Sequence, residues 1–210
     1  MAELITGIDA ATVASNLQRV RERVGPDVEI LAATKYVPLE EMGALAEAGV
    51  ELVGENRLQD LQAKQERWGE AFEWDFIGAV QSRKAKTLLE CTRLIHSIAS
   101  DSALRKLEAV AAPEAEILVE VNLAGEESKG GIAPAELAAF IERSPIRVSG
   151  LMAMPPFTAE PEASRPYFAQ LTKLASAHGL SRLSMGTSQD WEVAAEEGAT
   201  IIRLGSSLFR

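Results

Sequence analysis

Cysteine is almost absent from the chain, which has one, Cys91, among its 210 residues. One cysteine cannot build a disulfide framework, so we expect a reducing compartment. Residues 1–6 lack the basic start and apolar run of a signal peptide, and no apolar stretch has the length of a bilayer span. These absences predict a cytoplasmic protein with no membrane partner.

Positive charge is also scarce. The chain carries 31 acidic and 21 basic residues, which gives a net charge of −10. Such a chain offers no basic face to a phosphate backbone, so we expect no nucleic-acid partner and attribute the acidity to solubility. No His, Cys, Asp or Glu cluster has metal-ligand spacing, so we also expect no metal. We interpret the lone His96 as a structural residue.

Short apolar strands separated by helical segments make up most of the chain. The pattern predicts eight strands, at residues 29–35, 51–56, 74–80, 93–98, 115–122, 148–154, 182–185 and 200–204. Strands that are apolar on both faces and alternate with helices indicate a parallel sheet, and eight such units favour a closed (β/α)₈ barrel. The sequence stops soon after strand eight and leaves little room for a full eighth helix. We expect an extra helix over 8–24 to fill this position in the outer layer. We expect one domain over 1–210.

The first strand ends in a lysine, Lys35, and Pro38 then forces a turn. Burial penalises an ammonium, so a lysine delivered by a buried strand costs stability unless the amine is used. The usual use is a lysine of lowered pKa that forms a Schiff base with a carbonyl compound. The alternative is that the Lys35 side chain extends from the strand end into water.

Two glycine-containing loops follow the last two strands, at the barrel end where active sites of this fold lie. Gly186-Thr187-Ser188 precedes a helix, and Gly205-Ser206-Ser207 follows strand eight. Hydroxyls and free amides of this kind bind anions, and phosphate sites after strands seven and eight recur in barrels. The alternative is that Ser188 caps a helix and the glycines serve the turns. Together with Lys35, the loops suggest pyridoxal phosphate (PLP) or the sugar phosphate of a Schiff-base aldolase.

Motifs along nearly the whole chain resemble one family, the pyridoxal phosphate homeostasis proteins (YggS-like PLP-binding proteins). The residues that carry the resemblance are Ala33-Thr34-Lys35-Tyr36-Val37-Pro38, Gly54-Glu55-Asn56, Phe76-Ile77-Gly78, Gln81-Ser82-Arg83-Lys84, Glu126-Glu127-Ser128-Lys129, Gly150-Leu151-Met152-Ala153-Met154-Pro155, Leu183-Ser184-Met185-Gly186-Thr187-Ser188 and Arg203-Leu204-Gly205. At Asp75 the chain departs from the family, in which many relatives carry histidine.

The resemblance implies a barrel similar to the N-terminal domain of alanine racemase, the fold type III PLP barrel. It also implies PLP held on Lys35 as an internal aldimine. We interpret Lys35 as an anchor for the cofactor and expect no catalytic residue. The remaining contacts that it implies are Ser188, Gly205 and Ser206 at the phosphate, Arg203 at the pyridine nitrogen, and Asn56 and Met152 around the ring. We expect the loop 126–131 to be mobile and Lys129 to be a solvated charge.

If Arg203 faces the pyridine nitrogen, that nitrogen stays unprotonated, because a guanidinium can only donate. An unprotonated ring is a poorer electron sink, and no second base for racemisation is visible in the sequence. We therefore expect a monomer that holds PLP or passes it to apo PLP-dependent enzymes, without strong catalysis. The alternatives are a PLP-dependent amino-acid racemase-like enzyme and a scaffold protein, which would leave Lys35 unexplained.

Overall fold

Eight parallel strands form the centre of the computed structural model, which describes residues 4–110, 112, 114–126 and 130–210. The strands pair in chain order, and β1 also pairs with β8, so the sheet closes into a barrel and the predicted (β/α)₈ fold is confirmed. Their bounds are Glu29–Ala33 (β1), Leu52–Glu55 (β2), Glu73–Phe76 (β3), Leu94–Ile98 (β4), Glu116–Glu120 (β5), Arg147–Met152 (β6), Arg182–Thr187 (β7) and Ile201–Leu204 (β8).

Helices surround the barrel. They are Ala10–Val24 (α1), Met42–Glu47 (α2), Leu58–Trp68 (α3), Ala85–Cys91 (α4), Asp101–Glu108 (α5), Leu137–Glu142 (α6), Arg165–Ala177 (α7), Trp191–Glu196 (α8) and Ser206–Phe209 (α9). Four of the predicted helices begin as short 3₁₀ turns, at Leu39–Glu41, Ser82–Lys84, Pro134–Glu136 and Pro161–Ser164. Such turns are frequent at helix starts, so these α-helices are shorter than the sequence predicted.

Helix α1 closes the outer layer, as its position in the sequence predicted. It packs against α2, α8 and the short α9. Its buried Asn16 donates through Nδ2 to the carbonyl oxygens of Leu208 and Arg210, at 3.0 and 3.1 Å. The N-terminal helix therefore takes the place of a full eighth helix after β8.

The apolar core has two layers. One lies between the strands and the helices. The other fills the barrel interior and consists of Leu31, Leu52, Leu94, Leu118, Met152 and Ile201. Since side chains alternate along a strand, residues two positions beyond these interior residues face the carboxyl-terminal end of the barrel. Among the described residues, no helix is long and apolar enough to cross a membrane.

Candidate functional site

A cavity of about 340 Å³ opens at the carboxyl-terminal end of the strands. It brings together residues from loops that are far apart in sequence, after β1, β2, β7 and β8. Six of the residues predicted for the site line it: Lys35, Asn56, Ser188, Arg203, Gly205 and Ser206. The structure thus places these six side chains or backbones around one space.

Met152 does not line this cavity. It is buried in the apolar interior of the barrel, while Met154, two residues further along the chain, contributes to the cavity wall. The predicted place of Met152 beside the ligand ring stays a prediction, since β6 ends at Met152 and the cavity wall contains Met154.

Lys35 lies in a turn and is exposed, which corrects the predicted strand over 29–35 and agrees with the alternative that the lysine side chain extends into water. Strand β1 ends at Ala33, and the backbone N–H of Val37 donates to the Thr34 carbonyl at 2.9 Å to form the turn. Thr34 is fully buried, whereas Lys35 reaches the cavity rim with Nζ 4.8 Å from the centre of the Tyr36 ring. The amine is therefore accessible from solvent and from the cavity.

A buried ion pair supports the base of this turn. Lys64, on α3, contacts the Glu55 carboxylate and donates to the Thr34 carbonyl oxygen at 2.8 Å. The Thr34 hydroxyl donates to the same Glu55 oxygen at 2.7 Å. Lys64 is not among the predicted site residues, because a lysine in an amphipathic helix usually points to solvent.

Asn56 follows β2, and the environment of its side-chain carbonyl oxygen is unusual. Its Oδ1 is buried and has no hydrogen-bond partner among the described residues. A buried polar atom without a partner costs free energy of about 1–3 kcal/mol, so such atoms commonly mark places where a ligand or water binds. Asn56 lines the cavity, where a hydroxyl or ring substituent of a ligand can supply the missing donor.

The loops after β7 and β8 meet at Ser188. Its Oγ accepts hydrogen bonds from the backbone N–H of Gly205 at 3.0 Å, from the N–H of Ser207 at 3.2 Å and from the Ser207 hydroxyl at 3.0 Å. Ser188 therefore does not cap α8, the helix that follows it, which was the role that the alternative interpretation gave it. Donors that converge on one oxygen in this way suit an anionic ligand oxygen.

The Thr187 backbone N–H and hydroxyl, which we expected from the sequence to be free to bind an anion, already have a partner. The backbone N–H of Thr187 donates to Asp190 Oδ1 at 2.7 Å, and the Thr187 hydroxyl donates to the same oxygen at 3.1 Å. Asp190 is buried and also accepts from the Ser164 hydroxyl at 2.8 Å. The Asp190 carboxylate thus occupies the Thr187 donors, just as the Ser188 hydroxyl oxygen occupies the amides of Gly205 and Ser207.

Arg203 points its guanidinium into the barrel interior and lines the cavity from below. Nη1 donates to the Ser184 carbonyl at 2.7 Å and to the Ser184 hydroxyl at 2.5 Å, and Nη2 donates to the Ala153 carbonyl at 3.1 Å. A guanidinium has five N–H groups, so two of them make no hydrogen bond to described residues. Burial lowers the pKa of Arg203 to about 10, which leaves it a cation at neutral pH.

Glu120 ends β5 and faces the same end of the barrel, two residues beyond the interior Leu118. Burial raises the pKa of its carboxyl, and the positive charge of Arg203 opposes this rise without cancelling it. Glu120 is not among the predicted site residues. Closed barrel order places β5 opposite β1, so Glu120 lies across the barrel from the turn that carries Lys35.

Replacing Glu120 by glutamine is expected to make stability less dependent on pH. Because the folded-state pKa lies above the unfolded-state value, the wild type loses stability as the pH rises through this interval, whereas Glu120→Gln does not. We expect equal melting temperatures at about pH 4 and a variant more stable by about 2–4 °C at about pH 8. Thermal unfolding at both pH values measures this, with the exposed Glu66→Gln as control. A difference that stays constant with pH would contradict the expectation.

Residues 127–129, including Lys129, lie outside the described residues; at the start of the same loop, Asn122 donates through Nδ2 to the Glu126 carbonyl at 2.9 Å. No group of three or more His, Cys, Asp or Glu side chains suited to a metal occurs in the part of the chain that the structure describes.

Comparison with known proteins extends this description. A family model described as Alanine racemase, N-terminal domain, matches residues 8–210. A pyridoxal phosphate homeostasis protein of Aquifex aeolicus (strain VF5) is 37% identical over 214 residues, which cover 94% of each chain. The structure of PipY from Synechococcus elongatus PCC7942 with PLP bound has a TM-score of 0.82 and 30% identity, over 94% of this chain and 100% of that chain. Alanine racemase from Clostridium difficile 630 shares the fold, with a TM-score of 0.74 at 13% identity over 96% of this chain and 57% of that chain.

The closed barrel and the family match define the class of the protein, a barrel of the alanine racemase N-terminal-domain type. Within this class, the chain belongs to the family of the pyridoxal phosphate homeostasis proteins, which confirms the resemblance noted in its motifs.

Proposed function

We propose that the protein binds PLP as a Schiff base on Lys35 and takes part in intracellular PLP homeostasis without strong catalytic activity. The observation that carries this proposal is the single cavity in which the Lys35 amine, the Arg203 guanidinium and the donors around Ser188 meet. When bound, PLP supplies an aldehyde that a lysine amine captures reversibly with loss of one water. Relatives of this chain are named pyridoxal phosphate homeostasis proteins, and the structure of PipY was solved with PLP bound.

The residues of this cavity fit the parts of PLP. The amides of Gly205 and Ser207 donate to Ser188 Oγ, so a phosphate oxygen would bind them by taking the place of that hydroxyl oxygen, at the edge where barrels commonly bind one. Asn56 Oδ1 lacks a donor, which a ring hydroxyl would supply after local adjustment. The two remaining N–H groups of Arg203 suit an unprotonated ring nitrogen as acceptor.

An exposed lysine supports a holding or transfer role. Because Lys35 stands at the cavity rim, another amine can approach it and exchange for it. An arginine at the ring nitrogen weakens the electron sink on which PLP catalysis depends. In this proposal the protein is a cytoplasmic monomer that keeps PLP in reach of apo PLP-dependent enzymes.

The proposal is tested by loading the purified protein with PLP and removing the free cofactor. We expect a yellow protein whose visible band disappears on borohydride reduction, and a reduced adduct that peptide mapping locates on Lys35. The loaded protein should then restore activity to an apo PLP-dependent enzyme. A protein that takes up no PLP, or that carries the adduct on another lysine, would overturn the proposal.

A racemase-like enzyme is the second candidate function, and Glu120 is the observation that favours it. Racemisation needs a proton-transferring group on each face of the substrate carbon, and Glu120 lies across the barrel from Lys35 with a raised pKa. Incubation of the PLP-loaded protein with L-amino acids separates the two functions. If the wild type racemises L-amino acids at ordinary enzyme rates and Glu120→Gln does not, the racemase is favoured. If the amino acids keep their chirality, the carrier is favoured.

A further inference from the structure

A chain of buried polar side chains runs through the barrel interior below the cavity. Asp75 on β3, His96 on β4, Ser184 on β7 and Arg203 on β8 are each at most 5% exposed. His96 Nε2 lies 3.0 Å from Asp75 Oδ2, and His96 Nδ1 lies 2.8 Å from Ser184 Oγ. The same hydroxyl accepts from Arg203 at 2.5 Å. Four strands thus contribute one continuous line of hydrogen bonds.

At the amino-terminal end of the barrel, the line ends in a second arginine. Arg93 donates through Nε and Nη2 to the two Asp75 oxygens at 2.9 and 2.7 Å. It also donates to both oxygens of Glu29 at 2.8 and 3.0 Å. Asp75, where many relatives carry histidine, therefore joins Arg93 to His96. The charges of Arg93 and Arg203 lie at the two ends, with one buried carboxylate between them.

The donors and acceptors fix where the protons are. Asp75 is a carboxylate and can only accept, so the proton of the His96 ring lies on Nε2, from which it is donated to Asp75. Nδ1 of the neutral imidazole then carries no proton and accepts from the Ser184 O–H, whose oxygen accepts from Arg203. The opposite tautomer would place the Nε2 lone pair against the Asp75 carboxylate.

The electrostatics agree with this assignment. Burial lowers the pKa of His96, and this effect outweighs the hydrogen bond and charge of Asp75, so the imidazole is neutral. Burial raises the pKa of Asp75, but the hydrogen bonds from His96 and Arg93 outweigh it, so Asp75 stays a carboxylate. The charged groups that act on His96 are Asp75, Arg93 and Arg203.

We propose that Asp75, His96 and Ser184 are positioning residues that hold the Arg203 guanidinium in place at the cavity floor by fixing the direction of the Ser184 hydroxyl. The inference rests on the proposed function, in which Arg203 faces the ring nitrogen of PLP. With its hydrogen donated to His96, the Ser184 hydroxyl can offer only its lone pair to Arg203. Without that constraint the hydroxyl can rotate, and its hydrogen would then repel the guanidinium.

The proton assignment can be tested without PLP. The chain has two histidines, His96 and His178, so ¹⁵N-histidine labelling gives two ring systems and His178→Gln leaves His96 alone. We expect His96 to show one protonated nitrogen, Nε2, throughout about pH 6 to 8. In Asp75→Asn, whose amide can either accept or donate, we expect a mixture of tautomers. A charged His96, or a protonated Nδ1 in the wild type, would overturn the inference.

The effect on Arg203 is tested by PLP titration of Ser184→Ala. The matched control is Ser149→Ala, because Ser149 on β6 is also buried but its hydroxyl has no hydrogen-bond partner among the described residues. We expect Ser184→Ala to weaken PLP binding about tenfold and to shift the visible band, with Ser149→Ala unchanged in both. If the wild type binds PLP and both variants bind it equally, the inference is wrong and the proposed function stands. If the wild type binds no PLP, both are wrong.

Discussion

Lys35→Ala is expected to abolish the covalent retention of PLP while leaving the fold intact. Lys35 is exposed in a turn, and substitutions at such positions usually change stability by no more than about 0.5 kcal/mol. The contacts to the phosphate and ring remain, but the bond to the aldehyde is lost. We expect PLP binding to weaken at least about 100-fold, which corresponds to about 2.8 kcal/mol. The measurements are the visible band after gel filtration and the dissociation constant from titration.

Two further variants separate the amine from the charge. Lys35→Arg keeps the positive charge but cannot form a Schiff base, so it should behave like Lys35→Ala. Lys86→Ala removes an exposed lysine from α4, where it pairs with Glu90 at 3.8 Å, and should retain PLP fully. A Lys35→Ala protein that still shows a reducible visible band would mean that another lysine holds PLP.

Lys64→Met is expected to cost about 3–5 kcal/mol of folding free energy, because it leaves the buried Glu55 carboxylate without its counter-charge. Glu55 is fully buried, and its second oxygen, Oε2, already lacks a partner among the described residues. The substitution also removes the hydrogen bond to the Thr34 carbonyl. Urea unfolding at neutral pH measures the loss.

A double-mutant cycle identifies the cause of this loss. In Glu55→Gln/Lys64→Met the buried charge is gone as well, so we expect the double variant to regain a large part of the stability. Lys86→Met serves as control, since the pair of Lys86 with Glu90 is exposed and contributes about 0.5 kcal/mol or less. A double variant no more stable than Lys64→Met would contradict the assignment to an uncompensated Glu55 charge.

The stability effect should reach the site as well. Lys64 and Glu55 both bind Thr34, the residue before Lys35. Loosening this contact frees the turn that presents the amine. We therefore expect Lys64→Met, under conditions where it is folded, to bind PLP more weakly than the wild type, although Lys64 itself does not take part in the Schiff base.

The barrel and the position of its functional end were accessible from local sequence signals. Apolar strands and helices alternate with clear boundaries at residues such as Gly25 and Pro38, and a closed barrel follows from eight such units. The same reasoning placed Arg203 near the end of β8 and Ser188 and Gly205 in the loops after the last two strands, since the carboxyl ends of parallel strands share one edge. Six of the seven predicted site residues line one cavity for this reason.

Side-chain burial and partners were not accessible in this way. The pattern left open whether Lys35 is buried or extends into water, and the structure decides this because the strand ends two residues earlier and the turn carries the lysine to the surface. A lysine in a polar helix is expected to be exposed, yet packing of α3 buries Lys64 against Glu55. In neither case could the local pattern determine the environment, because burial depends on neighbours that are remote in sequence.

The line of hydrogen bonds from Asp75 to Arg203 has only a weak signal in the sequence. Each of its members interrupts an apolar strand with a polar residue, as Asp75 does between Trp74 and Phe76. The interruption shows that a polar side chain is present in a strand but does not show which partner satisfies it.

The amino-acid order by itself determined the eight-stranded barrel, the end that binds ligands and the residues at the strand termini, because these follow from periodicity and connectivity along the chain. Only the tertiary structure decided which amine is exposed and which is paired, and which buried groups complete one another. Hydrogen bonds such as those of Ser184 to His96 and Arg203 join strands that meet only once the barrel has closed.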